Sequence, residues 1–203
     1  MKDLPQRKRT RLKGYDYSRN GGYFITICTK NREFLFGDIA DGVMILNEYG
    51  EIVQQELKIT EQKRPYLHLD NYVIMPNHVH ILISLCHDYV AGTADYDAGT
   101  ARRAPTSEQF GKPTKESIPT VIRSFKAAAT NAIRKHVGAR RAVPADLPDV
   151  YAVWQRNYHD HIIRNSKSYQ HIFNYIENNP MRWESDCHNP ANPKYADWNN
   201  QAE

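Results

Sequence analysis

The segment YVIMPNHVHILISL, residues 72–85, has the strongest strand character in the sequence, and the fold can be built outward from it. Apolar and β-branched residues run on both sides of Pro76-Asn77, a pair that favours a turn. We therefore predict two strands, residues 68–75 and 79–85, joined as a hairpin. Two histidines, one residue apart, interrupt the apolar run just after the turn.

These two histidines, His78 and His80, share one face of the strand because successive side chains point to opposite faces. Val79 and Ile81 point the other way, toward the expected core. Two imidazoles placed in this way can hold one metal ion or one phosphate; the alternative is a pair of half-buried surface histidines. The next position on the histidine face is Leu82, which excludes the three-histidine pattern of nucleotide hydrolases that use a histidine nucleophile.

The kind of metal can be narrowed from the neighbouring residues. A structural zinc site needs four protein ligands. Cys86 has the same parity as the histidines but lies at the far end of the strand, too distant to complete a tetrahedron easily. An open site for a hard divalent ion, with two imidazoles, one oxygen ligand and a substrate phosphate, fits the sequence better.

The other elements alternate between strand and helix. Further strands are predicted at residues 21–30, 43–46 and 153–164, and helices at 47–60, 118–137 and 166–179. We expect the short run 43–46 to pair with the first strand. Residues 87–117 lack apolar periodicity and are predicted to form a long mobile loop. This order indicates an α+β fold, with one antiparallel sheet and helices packed on one of its faces.

Composition and charge restrict the class of protein. With 203 residues, of which 40% are hydrophobic, the chain suits one domain, and it has no apolar stretch long enough to span a membrane and no secretory signal. Its three widely spaced cysteines are typical of a reducing compartment, so we expect a cytoplasmic protein.

Positive charge is concentrated in two stretches. Residues 1–13 contain six Lys/Arg and one acidic residue, and residues 101–141 contain ten Lys/Arg and two acidic residues. Because the net charge of the whole chain is only +4, the remaining residues are net acidic. This segregation favours a surface that binds a polyanion; the alternative is a solvated arm and a solvated helix face. The candidate DNA-binding residues are Arg7, Lys8, Arg9, Arg11 and Lys13 of the arm, and Arg123, Lys126 and Arg134 of the helix.

The last predicted helix carries polar side chains beside its apolar stripe. His171, Tyr175 and Asn179 follow one another at four-residue intervals and therefore share a face. Asn179 can offer a carbonyl oxygen to a metal, and Tyr175 carries a phenol that can act as a nucleophile; the alternative for a tyrosine on such a helix is packing at the edge of the core. Tyr158, in a predicted strand, is a rival nucleophile without an amide one turn away.

Three segments together resemble a known family. YVIMPNHVHILI (72–83), WQRNYHDHIIRN (154–165) and YIENNPMRW (175–183) are similar to the single-tyrosine HUH transposases, named for a His-hydrophobic-His motif, and in particular to their REP-associated tyrosine transposase branch. The resemblance covers residues 14–183. It implies a ferredoxin-like or RRM-like HUH domain between the basic arm and a C-terminal tail, residues 184–203.

The resemblance also implies a function for individual residues. His78, His80 and Asn179 correspond to the ligands of Mg²⁺ or Mn²⁺, and Tyr175 to the nucleophile; insertion-sequence relatives typically have Gln at the position of Asn179. The implied activity is nicking and strand transfer of single-stranded DNA at REP-like hairpins through a covalent 5′-phosphotyrosine. The branch implies a nucleoid-associated monomer, with a dimer as the alternative. A non-cleaving regulatory protein that binds hairpin DNA is the second hypothesis.

Overall fold

The fold is organised around a four-stranded antiparallel sheet with the order β4-β5-β1-β6. A computed structural model of the chain describes residues 11–12, 14–87, 114–139 and 153–192. The sheet strands are β1 (Gly21–Cys28), β4 (Leu67–Met75), β5 (His78–Leu85) and β6 (His159–Ile163). A separate two-stranded sheet consists of β2 (Gly37–Ala40) and β3 (Val43–Leu46). The three α-helices are α1 (Glu48–Gln62), α2 (Ile118–Ala139) and α3 (Ser166–Glu177).

The predicted hairpin around Pro76-Asn77 is confirmed as β4 and β5. Every residue of β5 is buried, which explains why its apolar run is continuous rather than alternating. On the side away from β4, β5 pairs with β1. The register of this pair places Thr26 opposite His80 and Cys28 opposite His78. Side chains directly opposite each other on antiparallel strands lie in contact, so this register fixes the neighbours of both histidines.

The helices α1 and α2 cover the core face of the sheet. The α1 helix starts at Asn47, whose side chain accepts hydrogen bonds from the backbone N–H groups of Tyr49 and Gly50. Its buried residues join one large apolar cluster with those of α2 and with the core side chains of β1 and β5. Representative members are Val53, Leu57, Ile81, Ile83, Val121, Ile122 and Phe125.

The helix α3 lies on the opposite face. Ile172 and Ile176 pack against Leu82, which has the same parity along β5 as His78 and His80, in a second and smaller apolar cluster. The sheet therefore has helices on both faces, whereas the sequence predicted helices on one face. The reason is that α3 follows β6 closely and packs its apolar stripe on the apolar side chains of the histidine face, Leu82 with Phe24 and Val73.

The predicted α+β class, an antiparallel sheet with helices packed against it, is confirmed. The four sheet strands and the first two helices follow the order βαββαβ along the chain, and the strand order within the sheet is that of ferredoxin-like folds. The hairpin of β2 and β3 is inserted between β1 and α1, and α3 is added after β6.

Three details differ from the predictions. The run Val43–Leu46 pairs with β2, which was not predicted, instead of with β1. The last sheet strand is His159–Ile163 only. Trp154 forms an isolated bridge to Thr29, and residues 155–158 separate this bridge from the strand. The α3 helix ends at Glu177, so Asn179 precedes a short 3-10 helix, Pro180–Ser185.

Two predicted regions lie wholly or mostly outside the described residues. Of the expected loop at 87–117, the described part is His87 and residues 114–117, and of the basic arm it is residues 11–12. Among the described helices, none combines the length and apolar character that crossing a membrane requires.

Two helical glycines give a matched test of the packing. A Cβ on Gly50 of α1 would lie 2.3 Å from the carbonyl oxygen of Phe36, whereas a Cβ on Gly138 of α2 would meet nothing within 4 Å. We expect Gly50→Ala to lower the free energy of unfolding by about 1–3 kcal/mol. The same change at Gly138 should raise it by about 0.4–1 kcal/mol. Urea unfolding measures both values, and equal effects would contradict this packing.

Candidate active site

The two histidines of β5 form the centre of a buried polar cluster. The Nε2 atoms of His78 and His80 are 3.1 Å apart, and the two side chains are 0% and 2% exposed. The phenol oxygen of Tyr175 lies 3.3 Å from Nε2 of His80. The fold therefore brings together the predicted histidine pair and the predicted nucleophile, from β5 and α3 respectively.

Hydrogen bonds fix the orientation of each ring. The Nδ1 of His78 donates to Oδ1 of Asn77 at 2.8 Å, and this amide is itself held because its Nδ2 donates to the carbonyl oxygens of Arg32 and His188. The Nδ1 of His80 lies 2.8 Å from Oγ1 of Thr26, the residue opposite it on β1. Partners of this kind select the tautomer of a metal-binding histidine and aim its other nitrogen.

The geometry fits a metal ion between the two rings. Asn77 fixes the proton of His78 on Nδ1, and when Thr26 Oγ1 likewise accepts from Nδ1 of His80, the two Nε2 lone pairs face the same point, where one cation can bind both. Two nitrogens bound at about 2.1 Å to adjacent positions of one ion are separated by about 3 Å, close to the distance found here. Burial lowers the pKa of His80 to about 3 and that of His78 well below its usual value, so both rings are neutral and ready to coordinate near pH 7.

Asn179 supplies a buried oxygen close to Tyr175. Its side chain is 1% exposed, and its Oδ1 has no hydrogen-bond partner within the described residues, while its Nδ2 donates to Asp186 at 3.3 Å. An unsatisfied buried carbonyl costs about 1–3 kcal/mol, so such atoms are retained mainly where a ligand satisfies them. This orphan oxygen is therefore suited to the oxygen ligand that the sequence analysis assigned to Asn179.

Tyr175 needs assistance to lose its proton. Burial raises the pKa of its phenol, the nearby carboxylate of Asp186 raises it further, and a hydrogen bond from Asn179 opposes both effects. His171, one turn before Tyr175 on the same helix, is exposed, whereas His80 is the imidazole in contact with the phenol.

A third histidine, His188, belongs to the cluster and was missed in the sequence. One ring nitrogen from each of His78, His80 and His188 lies within 4.8 Å of the others, and His188 is 4% exposed. The guanidinium of Arg32 donates to Nδ1 of His188, so a neutral His188 carries its proton on Nε2. In this tautomer Nε2 of His188 can donate a hydrogen bond but has no lone pair for a metal.

The signal for His188 in the sequence is weak. It lies in ESDCHN, residues 184–189, where three residue types that bind metals are adjacent. Asp186 and Cys187 form a second possible metal-binding group with His188. The carboxylate of Asp186 also accepts the backbone N–H of His188, which holds the segment in place.

The predicted DNA-binding residues are not gathered around this site. Arg123 and Arg134 lie on the exposed side of α2, across the sheet from the histidines. The ammonium of Lys126 donates to the backbone carbonyls of Gln155, Arg156 and Asn157 instead of facing solvent, and burial lowers its pKa to about 8.

The arm is described only at its end. Arg11 is exposed and lies over the ring of Tyr158 at 5.1 Å, while Arg7, Lys8, Arg9 and Lys13 are outside the described residues. Tyr158 itself is buried in the main core, as expected for a packing residue rather than a nucleophile.

A protein of *Haemophilus influenzae* without an established function is 41% identical over 183 residues, which cover 90% of this chain and 93% of that protein. The chain belongs to the same family as this *Haemophilus* protein. No protein-family model matches the chain.

Two solved structures are similar at a lower level. One is a REP-associated tyrosine transposase bound to a REP hairpin, with 18% identity, a TM-score of 0.48 and coverage of 88% of this chain and 74% of that one. The other is a *Deinococcus radiodurans* protein to which a transposase function is ascribed, with 18% identity, a TM-score of 0.43 and coverage of 83% and 97%. Similarities of this size carry no argument about function, which has to rest on the site itself.

The ring-orienting hydrogen bonds can be tested by removing a single hydroxyl. Thr26→Val keeps the side-chain shape but removes the partner of His80 Nδ1, so we expect affinity for Mn²⁺ to fall about 10- to 100-fold. Isothermal titration calorimetry measures the affinity. The matched control is Thr60→Val, because Thr60 is equally buried and bonds only to its own helix at Glu56. Equal Mn²⁺ affinity in both variants would contradict the orienting role of Thr26.

Proposed function

We propose that the protein is a metal-dependent enzyme that nicks single-stranded DNA and transfers strands at hairpin sequences, through a covalent 5′-phosphotyrosine on Tyr175. The observation that carries the proposal is the contact between the Tyr175 phenol and a buried histidine pair with facing Nε2 atoms. A nucleophile next to a divalent-metal site is suited to phosphodiester cleavage, because the metal and the attacking oxygen can reach the same phosphate.

The covalent step uses one side chain of this chain. The phenol of Tyr175 loses its proton to water, its oxygen attacks the phosphorus, and the bond from phosphorus to the 3′ oxygen breaks. The 3′ oxygen takes up a proton from water and leaves as a hydroxyl, while the 5′ phosphate stays on the tyrosine. The number of phosphoester bonds is unchanged, so a free 3′-hydroxyl can attack the phosphotyrosine and rejoin a strand without an external energy source.

The residues that would hold the metal are His78, His80 and Asn179. Both imidazoles are neutral and bind without first losing a proton, and the Asn179 carbonyl contributes an oxygen without adding charge. When bound, Mg²⁺ or Mn²⁺ polarises the scissile phosphate and stabilises the charge of the departing oxygen. Asn77 and Thr26 keep the two rings aimed at a common point during this chemistry.

The DNA form of the substrate is also part of the proposal. A hairpin with a single-stranded flank is the substrate that the resemblance of residues 72–83, 154–165 and 175–183 implies. Arg11, Arg123 and Arg134 are then phosphate contacts outside the catalytic centre, so affinity should fall as salt concentration rises. We propose a monomer in which Tyr175 serves the histidines of its own chain, the arrangement consistent with their contact.

A covalent-adduct assay tests the function. Incubation with Mn²⁺ and single-stranded hairpin DNA, followed by a denaturing gel, should show a protein–DNA adduct for the wild type. Tyr175→Phe should reduce the adduct by at least about 1,000-fold, because it removes the only nucleophilic atom of the reaction. Tyr158→Phe, a change of the same kind in a core tyrosine, should retain it, as should Tyr169→Phe on the same helix.

The outcomes separate the hypotheses. An adduct or cleavage product that persists in Tyr175→Phe would exclude this tyrosine as the nucleophile, and loss of the adduct only in Tyr158→Phe would move the role to Tyr158. Binding of many hairpins without any cleavage by the wild type would instead favour a non-cleaving regulatory protein. Cleavage that leaves no adduct would indicate a metal-dependent hydrolase.

A further inference from the structure

An exposed apolar patch lies at the rim of the candidate active site. Phe34 is one of the large apolar side chains that are well exposed in the described residues, with 50% of its surface exposed. Trp183 is half-buried, and its ring packs edge-to-face on Phe34 with the centroids 5.7 Å apart. Exposed apolar groups of this size that lie together usually mark a binding surface.

The patch is connected to the histidine pair through Trp183. The centroid of its ring is 6.1 Å from that of His78, with the planes inclined by 30°. Trp183 belongs to the 3-10 helix that begins directly after Asn179, so the nucleophile, the candidate oxygen ligand and the aromatic ring follow one another along one short stretch of chain. The patch therefore lies next to the reacting groups.

We propose that Phe34 and Trp183 form a platform on which an unpaired nucleobase next to the cleaved phosphate stacks. This inference rests on the proposed function and adds a subsite to it. Aromatic side chains beside a path for a nucleic-acid backbone bind bases through their faces, without selecting one base by hydrogen bonding. The platform would hold the strand so that the phosphate beside the stacked base lies at the histidines.

The chemistry of the surroundings favours a nucleobase over a protein partner. Arg182, the residue before Trp183, is exposed and supplies a cation for a phosphate of the same strand. Two side chains are far fewer than the roughly 20–30 residues that each partner contributes to a standard protein–protein interface. Val43 and Ile45 of β3 are also exposed, but they are aliphatic and offer no ring face for stacking.

The test measures binding without cleavage. In a Tyr175→Phe background, fluorescence anisotropy gives the affinity for a hairpin oligonucleotide with single-stranded flanks, in Mn²⁺ and at constant salt. Trp183→Ala and Phe34→Ala should each weaken binding about 5- to 150-fold, the equivalent of one stacked base. Trp183→Phe should restore most of the affinity. Ile45→Ala, an exposed aliphatic residue outside the platform, is the matched control and should bind as the background does.

Abasic substitution identifies stacking directly. One abasic nucleotide at a time is placed in the single-stranded flanks, and the affinity is measured again. At one position Trp183→Ala should no longer reduce the affinity, because the base that stacks is already absent. A Trp183→Ala loss that is equal for every abasic position would mean that Trp183 only supports the fold and would overturn the platform. An unchanged affinity in Trp183→Ala and Phe34→Ala would also overturn it.

The proposed function and the platform fail in different ways. If the wild type forms the Mn²⁺-dependent adduct while the platform variants bind normally, the function stands and the platform is wrong. If the wild type neither binds hairpin DNA nor forms an adduct, both are wrong. A third outcome is that Ile45→Ala lowers the affinity as much as Trp183→Ala does and that abasic nucleotides change neither loss. This result would overturn the platform and favour an apolar surface that binds a protein.

Discussion

The register between β1 and β5 is the constraint on which the candidate site depends. It places Thr26 opposite His80 and Cys28 opposite His78, while Val79, Ile81 and Ile83 face the main core. A slip of one residue would move every side chain of β5 to the other face and bury the histidines against α1 and α2. Because the core face is densely apolar, such a slip is strongly disfavoured, and the same packing that stabilises the sheet fixes the histidine pair.

Around this fixed pair, the other groups come from one continuous stretch of the chain. Tyr175, Asn179, Trp183, Asp186 and His188 follow within fourteen positions, and they reach the histidines from the opposite side of the sheet from α1 and α2. The division of the site between a strand and this C-terminal stretch has a physical basis. The strand supplies rings whose orientation does not vary, and the helical stretch supplies the groups that have to approach a substrate.

Features that depend on residues within one helix or strand could be predicted from the sequence, whereas features that depend on contacts between distant elements could not. The hairpin, α2 and the shared face of His78 and His80 follow from local periodicity, and the four-residue spacing relates Tyr175 to Asn179. The pairing of Val43–Leu46 with β2 could not be predicted, because a run of four apolar residues fits several partners. The engagement of Lys126 by three carbonyls and the position of His188 depend on contacts between distant segments, which periodicity does not encode.

The burial of the histidine pair has a consequence for catalysis. Neutral, desolvated imidazoles bind a metal without losing protons, but a phosphate cannot reach side chains that are 0% and 2% exposed while His188 lies over them. The segment around His188 is held by hydrogen bonds to Asp186, Asn77 and Arg32, whereas α3 rests on a small apolar cluster around Leu82, Ile172 and Ile176. Local opening costs least where few apolar contacts are lost, and the main core behind β5 is much larger. Opening of the C-terminal stretch would therefore cost less than opening of the sheet, and it would leave the orientation of the two histidines unchanged.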